Sequence, residues 1–520
     1  MKKLVGKQAQ DFLREQLADA ENGLAGTLAP YEPEVTFNNY FVMFRAIEEF
    51  INLPLFELND LSLERDLVAI RFDDLDADHL KRVRDGLLKY LNKEVVSRLV
   101  TLIVQSSAMF AAFSINGMRE AAVGLQSVEH AIGYFQSRRR HLLAILYSIP
   151  RACKGSAKLA PINTLNDFLP LVEYAGVPIT TNYNRLMLSQ LYPDFHVLVS
   201  ATGYTCSHFY NVLDSSFLEP ERAGLTEMAE VTKDRTFKKT LEKKPRGKLF
   251  SAAELRNDIY VISAAYAEFH LAEIDTFASM ANFVKDCSQF CEDDYYIRLP
   301  ANQFDGLALT NSLSLLMKKA LVQGCENYVE NLDTYAPFIN LGETYVTTVT
   351  LLSRFIHRWK ILVLNRVRRF QIRSGFILEG SVKDALTDQG FRVTDIKRIN
   401  GSEFDVVAIL DDVVYNVQCK NNFIDYSRIE SNPKLFIRYN RQLERYYAQA
   451  LIKEEAREEL LKEKLQLSNV VHFVVSRFPI ATTNPRVIPF SDIRRIRSVA
   501  DEIRQDSRLT PALDLDSVSP

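Results

Sequence analysis

The run Phe404–Lys420, FDVVAILDDVVYNVQCK, constrains this chain more than any other segment. Two apolar, β-branched stretches flank the pair Asp411-Asp412, the pattern of two short strands joined by a tight turn. Side chains alternate across a strand with period two, so Gln418 and Lys420 share a face near the end of the second strand. Asp405 opens the first. Antiparallel pairing about the Asp411-Asp412 turn brings Asp405 to the end that carries Gln418 and Lys420. A carboxylate, an amide oxygen and an ammonium converge there, a set able to hold a divalent cation and activate a water.

The flanking sequence supplies elements on which such a hairpin can be built. Gly375–Gln389 predicts a helix closed by Gly390 at its C-terminal cap. FRVTDIKRI predicts a strand leading into the hairpin. A long helix is expected from Pro433, suited to a first helical turn, to Leu465. NVVHFVVSRFPI reads as a buried strand, RVIPF as a short one and SDIRRIRSVADEIRQ as a final helix. The predicted order is α-β-β-β-α-β.

That order, with those residues on it, resembles the PD-(D/E)XK nuclease superfamily, the restriction-endonuclease-like fold, over about Ser374 to Phe490. In that superfamily an acidic residue opens one strand, (D/E/Q)-x-K lies on the next, and a Glu on the preceding helix often completes the site. The matching positions are Asp405, Gln418-Cys419-Lys420 and Glu379. The Gln-x-Lys form is most similar to Mrr-type restriction enzymes. The resemblance implies a metal-dependent phosphodiesterase, a DNA endonuclease by preference, of the kind used in restriction or phage defence. Magnesium is the implied cofactor, with manganese as an alternative. Asp405, the Gln418 side-chain oxygen and the Cys419 backbone carbonyl are the implied metal ligands, joined by Glu379 directly or through water. Lys420 would orient or deprotonate the attacking water and stabilise the transition state. Gln418 is a departure, because a neutral amide leaves the site less acidic. It keeps a second reading open, a nucleic-acid or protein-binding scaffold that retains the fold without cleaving. RNA as substrate also stays open, since a phosphodiester site does not reveal the sugar.

Each residue has an ordinary explanation. Glu379 is spaced with Val382 and Leu386 on the apolar face of its helix, where a carboxylate is uncommon unless paired or ligated; otherwise it is a surface Glu favoured near a helix start. Asp405 alone fits a strand-entry turn, and Lys420 an edge-strand charge. Cys419 alternates to the other face, which suits packing. Their joint spacing favours the site.

The helix after the hairpin carries Lys434, Arg438, Arg441 and Arg445 at offsets of four, three and four, one stripe of cations. A solvated face and a phosphate-contacting face are both consistent with it. Gln442 and Tyr446 form Q-x-x-x-Y, similar to a motif of RecB-like and Cas4-like nucleases. The acidic run Glu454–Glu463 reads as a solvated helix end.

At 520 residues, two or three domains are expected. From Leu351 onward Lys and Arg number 28 against 22 Asp and Glu, while the rest holds 35 against 44. A basic C-terminal third suits a polyanionic partner. The fold class expected is multidomain α plus α/β. Residues 1–230 form a mainly helical domain of unassigned function and 231–250 a basic linker or loop. Residues 251–373 form a helical region, and 374–520 the αβββαβ domain. Within the third region, Thr347–Phe370 predicts one long helix with a basic second half. It serves either as a connecting helix or as a contact to nucleic acid, its apolar density favouring the first. HVLVSATGYT is ambiguous between strand and buried helix. Leu99–Met118 is uncharged but interrupted by polar residues, so a buried helix is expected and no membrane partner. The scattered cysteines and an opening without an apolar stretch point to a reduced, cytoplasmic setting. A homo-oligomer or a partner subunit through the helical region is the remaining partner expectation. No Walker A, H-E-x-x-H or G-x-S-x-G pattern occurs.

Overall fold

A computed structural model describes residues 1–55, 58–208, 235–324, 327–421, 432–477 and 479–505. The chain is mostly helical with a smaller sheet-containing C-terminal part, the general α plus α/β layout. By contacts it divides into two units, each discontinuous in sequence. One comprises Lys7–Leu186 and Leu218–Val363; the other Met1–Gly6, Met187–Phe217 and Leu364–Pro520. This division cuts across the sequential partition expected above.

In the helical unit, Pro33–Asn52 and Val128–Ala152 pack against each other. Glu32 caps the first, its carboxylate accepting from the Val35 N–H at 2.6 Å. Phe37, Tyr40, Phe41, Phe44 and Phe50 bury on its inner side with Phe135 and Leu142. Helix Lys93–Ile115 is long and apolar enough to cross a membrane by length and composition. Its Val95, Leu99, Leu102, Met109 and Phe113 are buried in the same core, while Val104 on the other side is 46% exposed.

The unit also buries charge. Glu48 lies at 0% exposure and accepts two hydrogen bonds from Arg139, at 2.6 and 3.0 Å. Glu49 accepts from Arg45 at 3.0 Å and from Arg98 at 2.7 Å. The basic stretch expected as a linker is tied down where it is described. Asn92 N–H donates to Gly247 O at 2.9 Å, Leu249 is buried, and Lys248 pairs with Asp293 at 2.6 Å. Residues 231–234 lie outside the described residues. A sheet that the helical reading did not anticipate pairs Tyr296–Pro300 with Thr344–Thr348 and adds the short strands Cys291–Glu292 and Ile339–Asn340.

The expected helix Thr347–Phe370 is two helices, Val349–Leu364 and Arg368–Asp388. The second belongs to the sheet unit and runs through the helix expected at Gly375–Gln389. We label the elements of that unit's main sheet α1 (Arg368–Asp388), β1 (Arg392–Val393), β2 (Val406–Leu410), β3 (Val413–Lys420), α2 (Pro433–Glu455), α3 (Glu458–Leu465), β4 (Asn469–Ser476), β5 (Val487–Pro489) and α4 (Ile496–Gln505). The strand order is β5-β4-β3-β2-β1, with β1, β2 and β3 antiparallel and β3, β4 and β5 parallel.

Both faces of β2 and β3 are covered, so their apolar runs are continuous rather than alternating. Val406, Ala408, Val413, Tyr415 and Val417 pack with Leu378, Val382 and Leu386 of α1 and with α4. Val407, Ile409 and Val414 face Leu461 of α3. The expected single strand FRVTDIKRI is broken: only Arg392–Val393 joins the sheet, while Arg398–Ile399 pairs with Ser402–Glu403. The expected Pro433–Leu465 helix breaks at Ala456 and Arg457. HVLVSATGYT resolves as a hairpin whose first strand, His196–Ser200, also pairs with Lys2–Val5.

Candidate functional site

The hairpin closes as its residues predict. Asp411 and Asp412 both take positive φ, 51° and 58°, the left-handed backbone a two-residue type I′ turn requires. The register then follows: Val406 pairs with Val417, so Asp405 immediately precedes, and Gln418 immediately follows, the last cross-strand pair. At this point β2 and β3 part, but β3 stays paired with β4 through Lys420 and Ser476. The Asp405 carboxylate takes over where the ladder stops. Its Oδ2 accepts the Cys419 backbone N–H at 2.8 Å.

Gln418 and Lys420 share a face. Lys420 Nζ donates to Gln418 Oε1 at 3.0 Å and sits 5.2 Å from the ring centre of Tyr446 on α2. Cys419 turns the other way and packs against the α1-side core. That face is also where Glu379 lies, half-buried beside Leu378 on the α1 helix. Burial pushes the Glu379 carboxyl above its ordinary value, and the nearby Asp405 carboxylate pushes it further. Asp405 is also raised, first by burial, with the Cys419 N–H and Lys420 pulling the other way. The Cys419 thiol rises by burial and then by the fields of Asp405 and Glu379. The fold therefore places Asp405, Gln418, Cys419, Lys420 and Glu379 at one end of β3, with Cys419 and Glu379 on the α1 face and Gln418 and Lys420 on the opposite face.

The basic stripe also forms on α2. Lys434, Arg438, Arg441 and Arg445 are exposed, as are Gln442 and Tyr446. Arg441 is partly spoken for, since its Nη2 donates to the Gln190 carbonyl at 2.8 Å.

Two features escaped the sequence reading. The first ties the end of β3 to α1: Asn421 Nδ2 donates to Ser374 Oγ at 2.7 Å, and Arg477 Nη1 donates to Asn421 Oδ1 at 3.2 Å. The second is a buried polar network. Asn416 and His472 are neighbours in the β3–β4 register, and Asn416 Nδ2 lies 2.9 Å from Glu454 Oε2 and 3.1 Å from His472 Nδ1. An amide that donates to both leaves the hydrogen on His472 Nε2, 3.0 Å from Glu458 Oε2. Glu454 also lies 3.1 Å from Arg457 Nη2. This corrects the solvated reading of the Glu454–Glu463 run, because Glu454 is 1% exposed. A signal existed. Asn416 and His472 are single polar interruptions of apolar strands, each needing a partner once buried.

In Cys206-Ser207-His208, three residues adjacent in the sequence, Ser207 and His208 have local partners. Ser207 Oγ accepts from His196 N–H at 3.0 Å, and His208 pairs with Asp194 and stacks on Tyr192.

Among the described residues, no group of three or more His, Cys, Asp or Glu side chains is placed to hold a metal ion. Any cation at the hairpin end would therefore draw on amide and carbonyl oxygens besides Asp405 and Glu379. Two partly desolvated carboxylates, with the Asp405 charge raising Glu379, are what a hard cation relieves, so the donor set fits magnesium in chemistry. No protein-family model, curated protein or solved structure matches the chain.

Proposed function

We propose that the sheet unit is a restriction-endonuclease-like domain and that the chain is a metal-dependent phosphodiesterase acting on DNA. The observation that carries this reading is the junction at the end of β3. There Asp405 is held by the Cys419 N–H, Lys420 is held over Gln418, and the Glu379 carboxyl is near enough to feel the Asp405 charge. The element order α1-β1-β2-β3-α2-β4 supports it.

Asp405, Glu379, the Gln418 amide oxygen and the Cys419 carbonyl are the residues that would hold magnesium, or manganese in its place. When bound, the ion would supply a water of lowered pKa and offset charge on the scissile phosphate. Lys420 has two duties in the fold. Its bond to Gln418 Oε1 orients the amide, and its ammonium brings positive charge to the same end, where it can hold a water or meet phosphate oxygen. The Asp405 bond to Cys419 N–H fixes one carboxylate oxygen, so the side chain does not need to be ordered at each turnover.

Plasmid nicking with magnesium, comparing the unaltered protein with Asp405→Ala and Lys420→Ala, tests the proposal. Nicking confined to the unaltered protein is expected; equal activity in all three ends it. The second reading, a binding scaffold, draws on the Lys420–Gln418 bond, which engages the amide oxygen a metal would use. DNA binding without cleavage or magnesium uptake would favour that reading.

A further inference from the structure

The helices on either side of β3 expose aromatic rings among their cations. Phe376 on α1 is 58% exposed and Tyr439 on α2 is 42% exposed. On α1 the neighbours of Phe376 at helical spacing are Arg369 and Arg373 before it and Glu379 after it, with both arginines exposed. Three residues, about 4.5 Å along the axis, separate the ring's position from that of the candidate catalytic carboxylate. On α2, Tyr439 stands beside exposed Arg438 in the basic stripe. Both helices reach the same end of β3, α1 through Ser374 to Asn421 and α2 through Tyr446 to Lys420.

Phe376 has exposed apolar neighbours on α1, Ile372 at 54% and Ile377 at 38%, so the ring belongs to an apolar patch set among cations, the kind of surface that a partner covers. The surrounding arginines state the partner's charge, and the aromatic face states its shape. Bases inside a duplex already stack on one another and offer no free face. An unpaired base offers one, and its phosphate meets the neighbouring guanidinium. A positively charged surface with interleaved rings is the chemistry of single-strand binding.

We propose that this site takes single-stranded nucleic acid, or a frayed or flapped end, with Phe376 and Tyr439 stacking on unpaired bases on either side of the scissile phosphate. The inference deepens the phosphodiesterase reading and rests on it. It concerns binding, so it can be measured apart from cleavage.

The test is fluorescence anisotropy of the full chain with labelled oligothymidylate, oligouridylate and a mixed-sequence duplex, each of about 20 nucleotides or base pairs, in EDTA so that nothing is cut. Tighter binding to a single strand than to duplex is expected; the two single-stranded arms decide between DNA and RNA. Phe376→Ala should weaken single-strand binding about tenfold and leave duplex binding unchanged, with Tyr439→Ala smaller in effect and Phe376→Tyr close to the unaltered protein. Circular dichroism of each variant checks the fold, and Phe376→Leu serves as a second variant that keeps the apolar bulk without the aromatic face. Equal affinity for duplex and single strand, or no loss in Phe376→Ala and Phe376→Leu, overturns the proposal. So does a change from dimer to monomer on size exclusion without loss of affinity, which would make the ring a contact between copies of the chain. Single-strand binding with the expected losses but no nicking under magnesium would instead defeat the cleavage reading alone.

Discussion

Glu48 in the helical unit has no exposed surface and receives two hydrogen bonds from Arg139, whereas Asp405 at the hairpin end receives one, from a backbone N–H. Glu379 receives none among the described residues. Glu48 and Glu49 are each met by guanidinium groups, as buried charges usually are. Asp405 and Glu379 are half-buried, raised by desolvation and, for Glu379, by the other carboxylate. The contrast teaches how to read buried charge in this molecule. Saturated pairs hold the helical core together, and the unsaturated pair of acids marks the place where something else is expected to bind.

The largest effect expected is on activity. Asp405→Asn keeps an oxygen to accept from Cys419 N–H but removes the charge, so nicking should fall on the order of a thousandfold while the thermal midpoint stays level or rises. A fall in midpoint with unchanged nicking would erase the distinction between the two kinds of acid. Next comes Glu48→Ala, which removes the carboxylate that accepts two hydrogen bonds from buried Arg139. It should cost about 3–5 kcal/mol in chemical unfolding of the helical unit, and a loss below about 1 kcal/mol would show that the pair is not structural.

His357 sharpens the comparison through pH. Buried in the helical unit near Lys360, it is pushed down to about 3, and its Nδ1 has no hydrogen-bond partner among the described residues. Its folded pKa lies below the ordinary 6.5, so as pH falls through that window the unfolded chain takes up a proton that the folded one refuses. Stability should drop on acidification, by at most about 1.4 kcal/mol per pH unit from this group. His357→Leu should flatten the decline of the thermal midpoint between pH 6.5 and pH 4, both within the window set by this shift; an unchanged slope counts against it. The smallest effect is reserved for Arg438→Ala and Arg445→Ala on the exposed stripe. They should change stability by less than about 0.5 kcal/mol while lowering the salt dependence of DNA binding by roughly one charge each. An unaltered salt slope would return the stripe to a merely solvated face.

Much of the sheet unit was legible residue by residue. The Asp411-Asp412 turn, the period-two alternation and the spacing of Asp405 from Gln418 are local, and the folded hairpin keeps all of them. The breaks were harder. The interruption between Leu364 and Arg368 has no proline or glycine to announce it, and neither has that at Ala456 and Arg457. The latter break goes with an inward turn of Glu454 and Glu458 toward Asn416 and His472, partners that lie on distant strands.

The sequence by itself determined the hairpin, its register and the set of side chains at its open end, because turn geometry and strand periodicity act over a few residues. Tertiary structure alone decided which acids are paired and which are not, since that depends on what desolvates them. It brought Glu379 within the field of Asp405, paired Lys2–Val5 with His196–Ser200, and tied Asn421 to Ser374 and Arg477. Each of these joins residues far apart in the chain, and backbone pairing and burial at such separations leave no local periodicity to read.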